Sequence, residues 1–153
     1  MTTPLHWQCN SFEQLSGAQL YAILQARCDV FIMEQQCIYP DVDGADLSTL
    51  HLSAWTADGQ LAAYLRIHAP GSNYPEASIG RVLTTRAFRR GGIGRQLVAE
   101  GVRQIYAHYP GHAVTISAQL YLLEFYRSFG FVSVDQQYLE DGIPHIQMCL
   151  PAP

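Results

Sequence analysis

The chain has 153 residues, 48% of them hydrophobic and 14% charged. That is enough to bury a core as one domain spanning residues 1–153, and too apolar and weakly charged for a disordered chain. A formal net charge of −4 argues against broad electrostatic binding to nucleic acid or an acidic membrane, and neither is expected as a partner. All nine basic residues are arginine, which excludes a P-loop, whose phosphate contact needs a lysine.

Cys9, Cys28, Cys37 and Cys149 are scattered and form no C-x-x-C pair. Met1-Thr-Thr-Pro-Leu-His lacks the basic flank and apolar run of a secretory signal, and no apolar segment approaches the ~20 residues that span a bilayer. Reduced thiols in the cytoplasm are the economical expectation. Cys37 is taken as an ordinary semi-buried residue rather than a reactive thiol.

In chain order, Leu5–Cys9 is a candidate first strand. Ser16 with Gln19 forms a capping-box pattern that opens a helix with Leu20, Ile23, Leu24, Arg27, Cys28 and Phe31 on one face. Gln35 to Leu47, with Pro40, Gly44 and three Asp, is a loop. His51–Ala57 and Gln60–Ile67 are strands joined at Asp58-Gly59, a hairpin signal. Ser78–Thr84 is the next strand, and Gly92 to about His108 a long helix stopped by Pro110-Gly111. Ala113–Ala118 is a buried strand and Leu120–Phe129 a short helix ended by Gly130. Phe131–Val134 and His145–Leu150 close the chain, with Asp141-Gly142-Ile-Pro between them. The strand–helix–strand run over 78–118 implies a right-handed crossover and a locally parallel pair. The expected fold is therefore mixed α/β, one sheet with helices on both faces.

The most informative stretch is Arg86-Ala-Phe-Arg-Arg-Gly-Gly-Ile-Gly-Arg95, between strand and helix. Gly91, Gly92 and Gly94 let backbone approach a ligand closely, and the helix that follows presents unpaired N–H groups and its positive dipole end. Such a turn binds anions, and a diphosphate fits it. Four of the nine arginines, Arg86, Arg89, Arg90 and Arg95, fall in these ten residues. A glycine-rich connector with solvated arginines accounts for the stretch about equally well when it is taken alone. The dinucleotide pattern G-x-G-x-x-G does not fit, because Leu97 stands where its third glycine belongs.

Arg89-x-x-Gly92-x-Gly94, after Gly80-Arg-Val-Leu-Thr84 and before a long helix, resembles the acyl-CoA motif of the GNAT N-acetyltransferases. Phe125-Tyr126-Arg-Ser-Phe-Gly130-Phe131 resembles that family's Tyr-x-x-x-Gly-Phe signature. Arg27-Cys-Asp-Val-Phe31, Glu34-Gln-Gln-Cys-Ile-Tyr-Pro-Asp-Val-Asp-Gly44 and Asp141-Gly-Ile-Pro-His145 extend the resemblance to the ElaA-like branch. One departure is Gln119, seven residues before Tyr126, where many relatives carry Asn; the amide is kept, so a hydrogen bond to the cofactor is still expected of it.

The resemblance implies a mostly antiparallel mixed sheet with a splayed central parallel pair, the GNAT acyl-CoA N-acyltransferase fold. It implies transfer from acetyl-CoA directly to the amine of a small molecule or peptide, with no covalent enzyme intermediate and no metal. By similarity, the strand Val82, Leu83 and Thr84 pairs with pantetheine, and an N–H near Val82 polarises the thioester carbonyl. The backbone of Arg89, Arg90, Gly91, Gly92, Ile93, Gly94 and Arg95 holds the diphosphate. Tyr126 protonates or hydrogen-bonds the departing thiolate, although in isolation it is one aromatic among several suited to the core. Glu34, His51 and His145 are the candidates for a general base, which the amine requires. A homodimer stands as the open alternative to a monomer.

Asp41-Val-Asp-Gly-Ala-Asp46 does not fit an EF-hand, whose glycine occupies the sixth position rather than the fourth. The loop is either a negative rim that attracts a cationic amine or a set of Asx-turns. Two other functions compete with amine acetylation. An autoinducer-synthase-like acyltransferase shares the early Arg-x-x-x-Phe and later acidic residues, but lacks support from a Trp shortly after Phe31. A non-catalytic acyl-CoA sensor leaves Tyr126 without a task.

Overall fold

The computed structural model describes residues 4–134 and 136–153. Eight strands form one sheet among them: β1 (His6–Ser11), β2 (Leu50–Trp55), β3 (Leu61–His68), β4 (Ala77–Thr84), β5 (Val114–Gln119), β6 (Val132–Ser133), β7 (Tyr138–Glu140) and β8 (Ile143–Leu150). Their order is β1-β2-β3-β4-β5-β8-β6, with β7 also pairing β8. β4 and β5 are the parallel pair, and the other pairings are antiparallel. This is the mixed, mostly antiparallel architecture expected.

Helices cover both faces of β3, whose residues are all buried although Arg66 and His68 are polar. Ala63, Leu65 and Ile67 pack with Leu97, Val98 and Ile105 of α2 (Ile93–His108), while Tyr64 of the same strand turns to Ile23, Ala26 and Phe31 on the other face. Helix α2 approaches the sheet closely at Gly101, where a Cβ would stand 2.9 Å from Leu65 Cδ2.

Helix α1 (Gly17–Arg27) opens on the expected capping box: Gln19 N–H donates to Ser16 Oγ at 3.1 Å, and Ser16 N–H to Gln19 Oε1 at 3.0 Å. It continues through Cys28–Glu34 with a wider turn, closed by Gln35 N–H to Val30 O and Cys37 N–H to Ile32 O. Such i to i+5 turns recur at functional sites, and this one delivers Glu34 and Gln35 to the cleft described below.

Two expectations at the C-terminal end change. The helix over 120–129 is only one α-helical stretch, α3 (Leu123–Arg127), preceded by a 3₁₀ turn at Leu120–Leu122. Asp141-Gly142 is not part of an open connection: with φ of 50° and 79° it makes a two-residue hairpin turn between β7 and β8. Asp-Gly is a hairpin signal, but Tyr138–Glu140 is too short and polar to declare itself a strand.

Candidate active site

β4 and β5 hydrogen-bond as parallel partners only at Ala77–Val114 and Ser78–Thr115, then part. β4 keeps β3 on its other edge, and β5 keeps β8 through Gln119. The inner edges of 79–84 and 116–119 therefore lack a strand neighbour, and buried or half-buried backbone groups need partners. A cleft of about 560 Å³ opens there, lined among others by Val82, Leu83, Thr84, Gln119 and Tyr126. The register of β3 on β4 shifts between Tyr64 and Arg66, and Arg81 takes φ of 53° at that irregularity. A non-glycine residue in that region marks local strain held by its surroundings.

Of the glycine–arginine loop, Arg89 lines this cleft. Arg90 and Gly92 have φ of 69° and 80°, and Gly92 precedes α2 without a side-chain cap. The first intrahelical bond there runs from Gln96 N–H to Gly92 O, leaving the N–H groups of Ile93, Gly94 and Arg95 at the helix start, where an anion is favoured. Arg89 is partly committed: its Nε donates to Thr84 O at 3.0 Å and its Nη2 to Glu34 Oε1 at 2.8 Å. The Thr84 carbonyl expected to face pantetheine thus already accepts one hydrogen bond. Arg95 reaches the other way, donating to Ser128 Oγ at 2.9 Å with its guanidinium 4.8 Å from the Phe129 ring centre. It ties the loop to the end of α3.

Tyr126, on α3, is 6% exposed. Its ring is held edge-on by Phe125 and Phe131, with centroids at 5.2 and 5.8 Å. Its hydroxyl has no hydrogen-bond partner among the described residues, although the residue lines the cleft. Burial pushes the phenol well above its ordinary range, so it is a proton donor at neutral pH. Gln119 meets Gln35 across the cleft, amide to amide at 3.3 Å.

The acidic loop proves to be neither solvent rim nor simple turn. Asp41 bridges Arg27 (2.9 Å) and Arg81 (2.8 Å), Asp43 bridges Arg66 (2.6 Å) and Arg81 (3.4 Å), and Asp46 bridges Arg27 (2.6 Å) and Arg66 (2.9 Å). The six groups form a closed ring of alternating charge. Arg27, Asp41, Asp46 and Arg66 are buried, so these carboxylates are spent inside the protein rather than offered to an amine. Asp43 also caps the local turn by accepting from Ala45 N–H. The ring fastens residues 41–46 to β3 and to the left-handed Arg81.

The base candidates separate clearly. Glu34 lines the cleft but is paired with Arg89, and more distantly with Arg86 at 3.8 Å. His51 is fully buried, away from the cleft, with hydrogen bonds to Tyr64 Oη and Asp46 O; this is a packing role. His145 lines the cleft, but Nδ1 lies 2.7 Å from Ile143 O and Nε2 lies 3.4 Å from Glu140 Oε2. Each ring nitrogen thus has an oxygen acceptor beside it, the closer one at Nδ1. Sequence reasoning passed over His68, on β3, which lines the cleft and has no hydrogen-bond partner among the described residues. Only the pairing of β3 with β4 could have pointed to it.

Residues 19–151 match the acetyltransferase (GNAT) domain family. Escherichia coli ElaA is 42% identical over 146 residues, covering 94% of this chain and 95% of that protein. The crystal structure of ElaA superposes with a TM-score of 0.89 at 41% identity, over 96% of this chain and 99% of that one. An acyl-CoA N-acyltransferase from Pseudomonas aeruginosa superposes with a TM-score of 0.91 at 43% identity and the same coverage. With its parted central strands, its glycine–arginine turn and its Tyr-x-x-x-Gly-Phe segment, the chain belongs to the GNAT acyltransferase family and is a homologue of ElaA.

Proposed function

We propose that the protein is an acetyl-CoA-dependent N-acetyltransferase that acts on a primary amine of a small molecule or peptide, and that the whole chain forms one domain for this task. The observation that carries the reading is the gap between β4 and β5, lined by Arg89 of the glycine–arginine loop and by Tyr126, whose hydroxyl has no partner among the described residues.

In this mechanism acetyl-CoA is a substrate. Backbone N–H groups from Arg89 to Arg95 receive its diphosphate, and the free edge of β4 from Val82 to Thr84 receives the pantetheine amides. A β4 N–H beside Val82 polarises the thioester carbonyl. The amine nitrogen then bonds to the carbonyl carbon and gives up a proton to a base or water, the carbon–sulfur bond breaks, and Tyr126 supplies a proton to the leaving sulfur and regains one from solvent. Gln119 gives up Gln35 to hydrogen-bond the cofactor. Glu34, held by Arg89, acts on the cofactor loop rather than on the amine, and His145 with Glu140 lines the acceptor end. The four cysteines, all unpaired, support a reducing, cytoplasmic setting.

Free thiol release from acetyl-CoA across a panel of primary amines tests the reading. Turnover with at least one amine, and a rise in melting temperature on adding acetyl-CoA but not ATP or NAD, are expected. No thermal shift and no binding heat at millimolar acetyl-CoA refute it.

A further inference from the structure

We propose that His68 is the proton acceptor for the incoming amine; the inference rests on the acetyltransferase reading above and deepens it. Ser78 is paired on one side with His68 and on the other with Thr115, the last parallel contact before β4 and β5 part. His68 therefore stands at the fork where the cleft begins. Its Nε2 lies 3.9 Å from where a Cβ on Gly80 would be, so the missing side chain at Gly80 leaves that edge of the ring uncovered. The ring is 5% exposed and faces the cleft.

The charges around it keep the imidazole neutral and make any proton it accepts short-lived. Arg66 on β3 and Arg81 on β4 lie nearby, balanced by Asp43 and Asp46 of the loop. Glu140 and His145 of the β7–β8 hairpin and Tyr74 line the same cleft. Burial first, and Arg66 next, push His68 down to about 4. At neutral pH the imidazole is uncharged and one ring nitrogen carries a lone pair. The same arginines disfavour a cation, so the amine is taken as its free base and hydrogen-bonds to His68. As the nitrogen–carbon bond forms, the amine proton passes to His68 and the carbon–sulfur electron pair leaves with sulfur. Sulfur takes its proton from Tyr126, His68 returns the amine proton to water in the cleft, and Tyr126 regains one from solvent.

The test compares two acceptors with acetyl-CoA: butylamine, charged at neutral pH, and hydroxylamine, largely uncharged there. His68→Gln is expected to slow thiol release to butylamine and to hydroxylamine alike, by about 10²-fold. The acetyl-CoA-induced thermal shift should stay unchanged. Gly80→Val, which covers the ring without altering it, is expected to give the same pattern and stands in if His68→Gln does not fold. More than about a third of either rate retained, or a diminished acetyl-CoA thermal shift, overturns the assignment while leaving the acetyltransferase reading intact. Wild-type protein that binds acetyl-CoA but releases thiol to neither amine overturns both.

Discussion

Asp46→Asn isolates the charge in the buried ring. Asp46 is 6% exposed, and one oxygen, Oδ1, accepts from both Arg27 Nη1 at 2.6 Å and Arg66 Nη1 at 2.9 Å. Asn keeps the shape and an accepting oxygen, and its NH₂ falls where Oδ2 has no partner. What changes is the balance: three guanidiniums would face two carboxylates, in a place where Arg27 is wholly buried. Breaking a buried pair by removing one partner costs about 3–5 kcal/mol, because the remaining charge is left uncompensated. In a chain of this size each kcal/mol lowers the melting temperature by about 2–4 °C, so a fall of about 6–20 °C is expected, with a matching loss in urea titration. Glu124→Gln is the control, since its i,i+3 pair with Arg127 is largely exposed and such pairs contribute about 0.3–0.5 kcal/mol. A double-mutant cycle of Asp46→Asn with Arg66→Gln should show strong coupling. A loss below about 1 kcal/mol for Asp46→Asn, no larger than a surface pair gives, would refute the ring as a stabilising unit.

Tyr126→Phe keeps the ring between Phe125 and Phe131 and removes the hydroxyl, so kcat should fall about 10²-fold, or ~2.7 kcal/mol, with acetyl-CoA affinity little changed. Retention of more than about a third of kcat, where chemistry limits, demotes it to packing. Gly92→Val places a β-branched residue at φ of 80° with open space around it. The strain is about 1–2 kcal/mol, so the protein should stay folded while its acetyl-CoA thermal shift disappears; an undiminished shift speaks against the loop as the diphosphate site. The depressed pKa of His68 also makes a stability prediction. The unfolded imidazole binds its proton near ~6.5, whereas the folded one resists it to about 4. Its contribution is thus complete above ~6.5 and lost as pH falls towards 4, at up to ~1.4 kcal/mol per pH unit. His68→Gln should flatten urea-derived stability across that window, and an unchanged slope contradicts the burial of an uncharged ring.

Much of the fold was legible locally because its signals are local. The capping box at Ser16–Gln19, the Asp58-Gly59 turn and the Gly92 start of α2 each depend on a few adjacent residues, and all three stand in the structure. So does the parallel pairing of β4 and β5, since a helix between two strands carries the chain back to start the second strand in the same direction. The glycine–arginine loop and the Tyr126 segment were legible for the same reason, since both are contiguous motifs. What sequence spacing could not decide was which charges meet. Asp41, Asp43 and Asp46 look like a solvent-facing acidic run until strands β3 and β4 bring Arg66 and Arg81 under them and α1 adds Arg27. Glu34, His51 and His145 look alike as bases until their partners, separated from them by as many as 55 residues, claim them. His68 has no motif at all, and its place at the fork follows only from register. Sequence determined the elements and the glycine–arginine turn, because backbone conformation and helix polarity are properties of neighbours along the chain. Tertiary structure alone decided the state of each ionisable side chain, because desolvation and Coulomb interaction depend on distance through space.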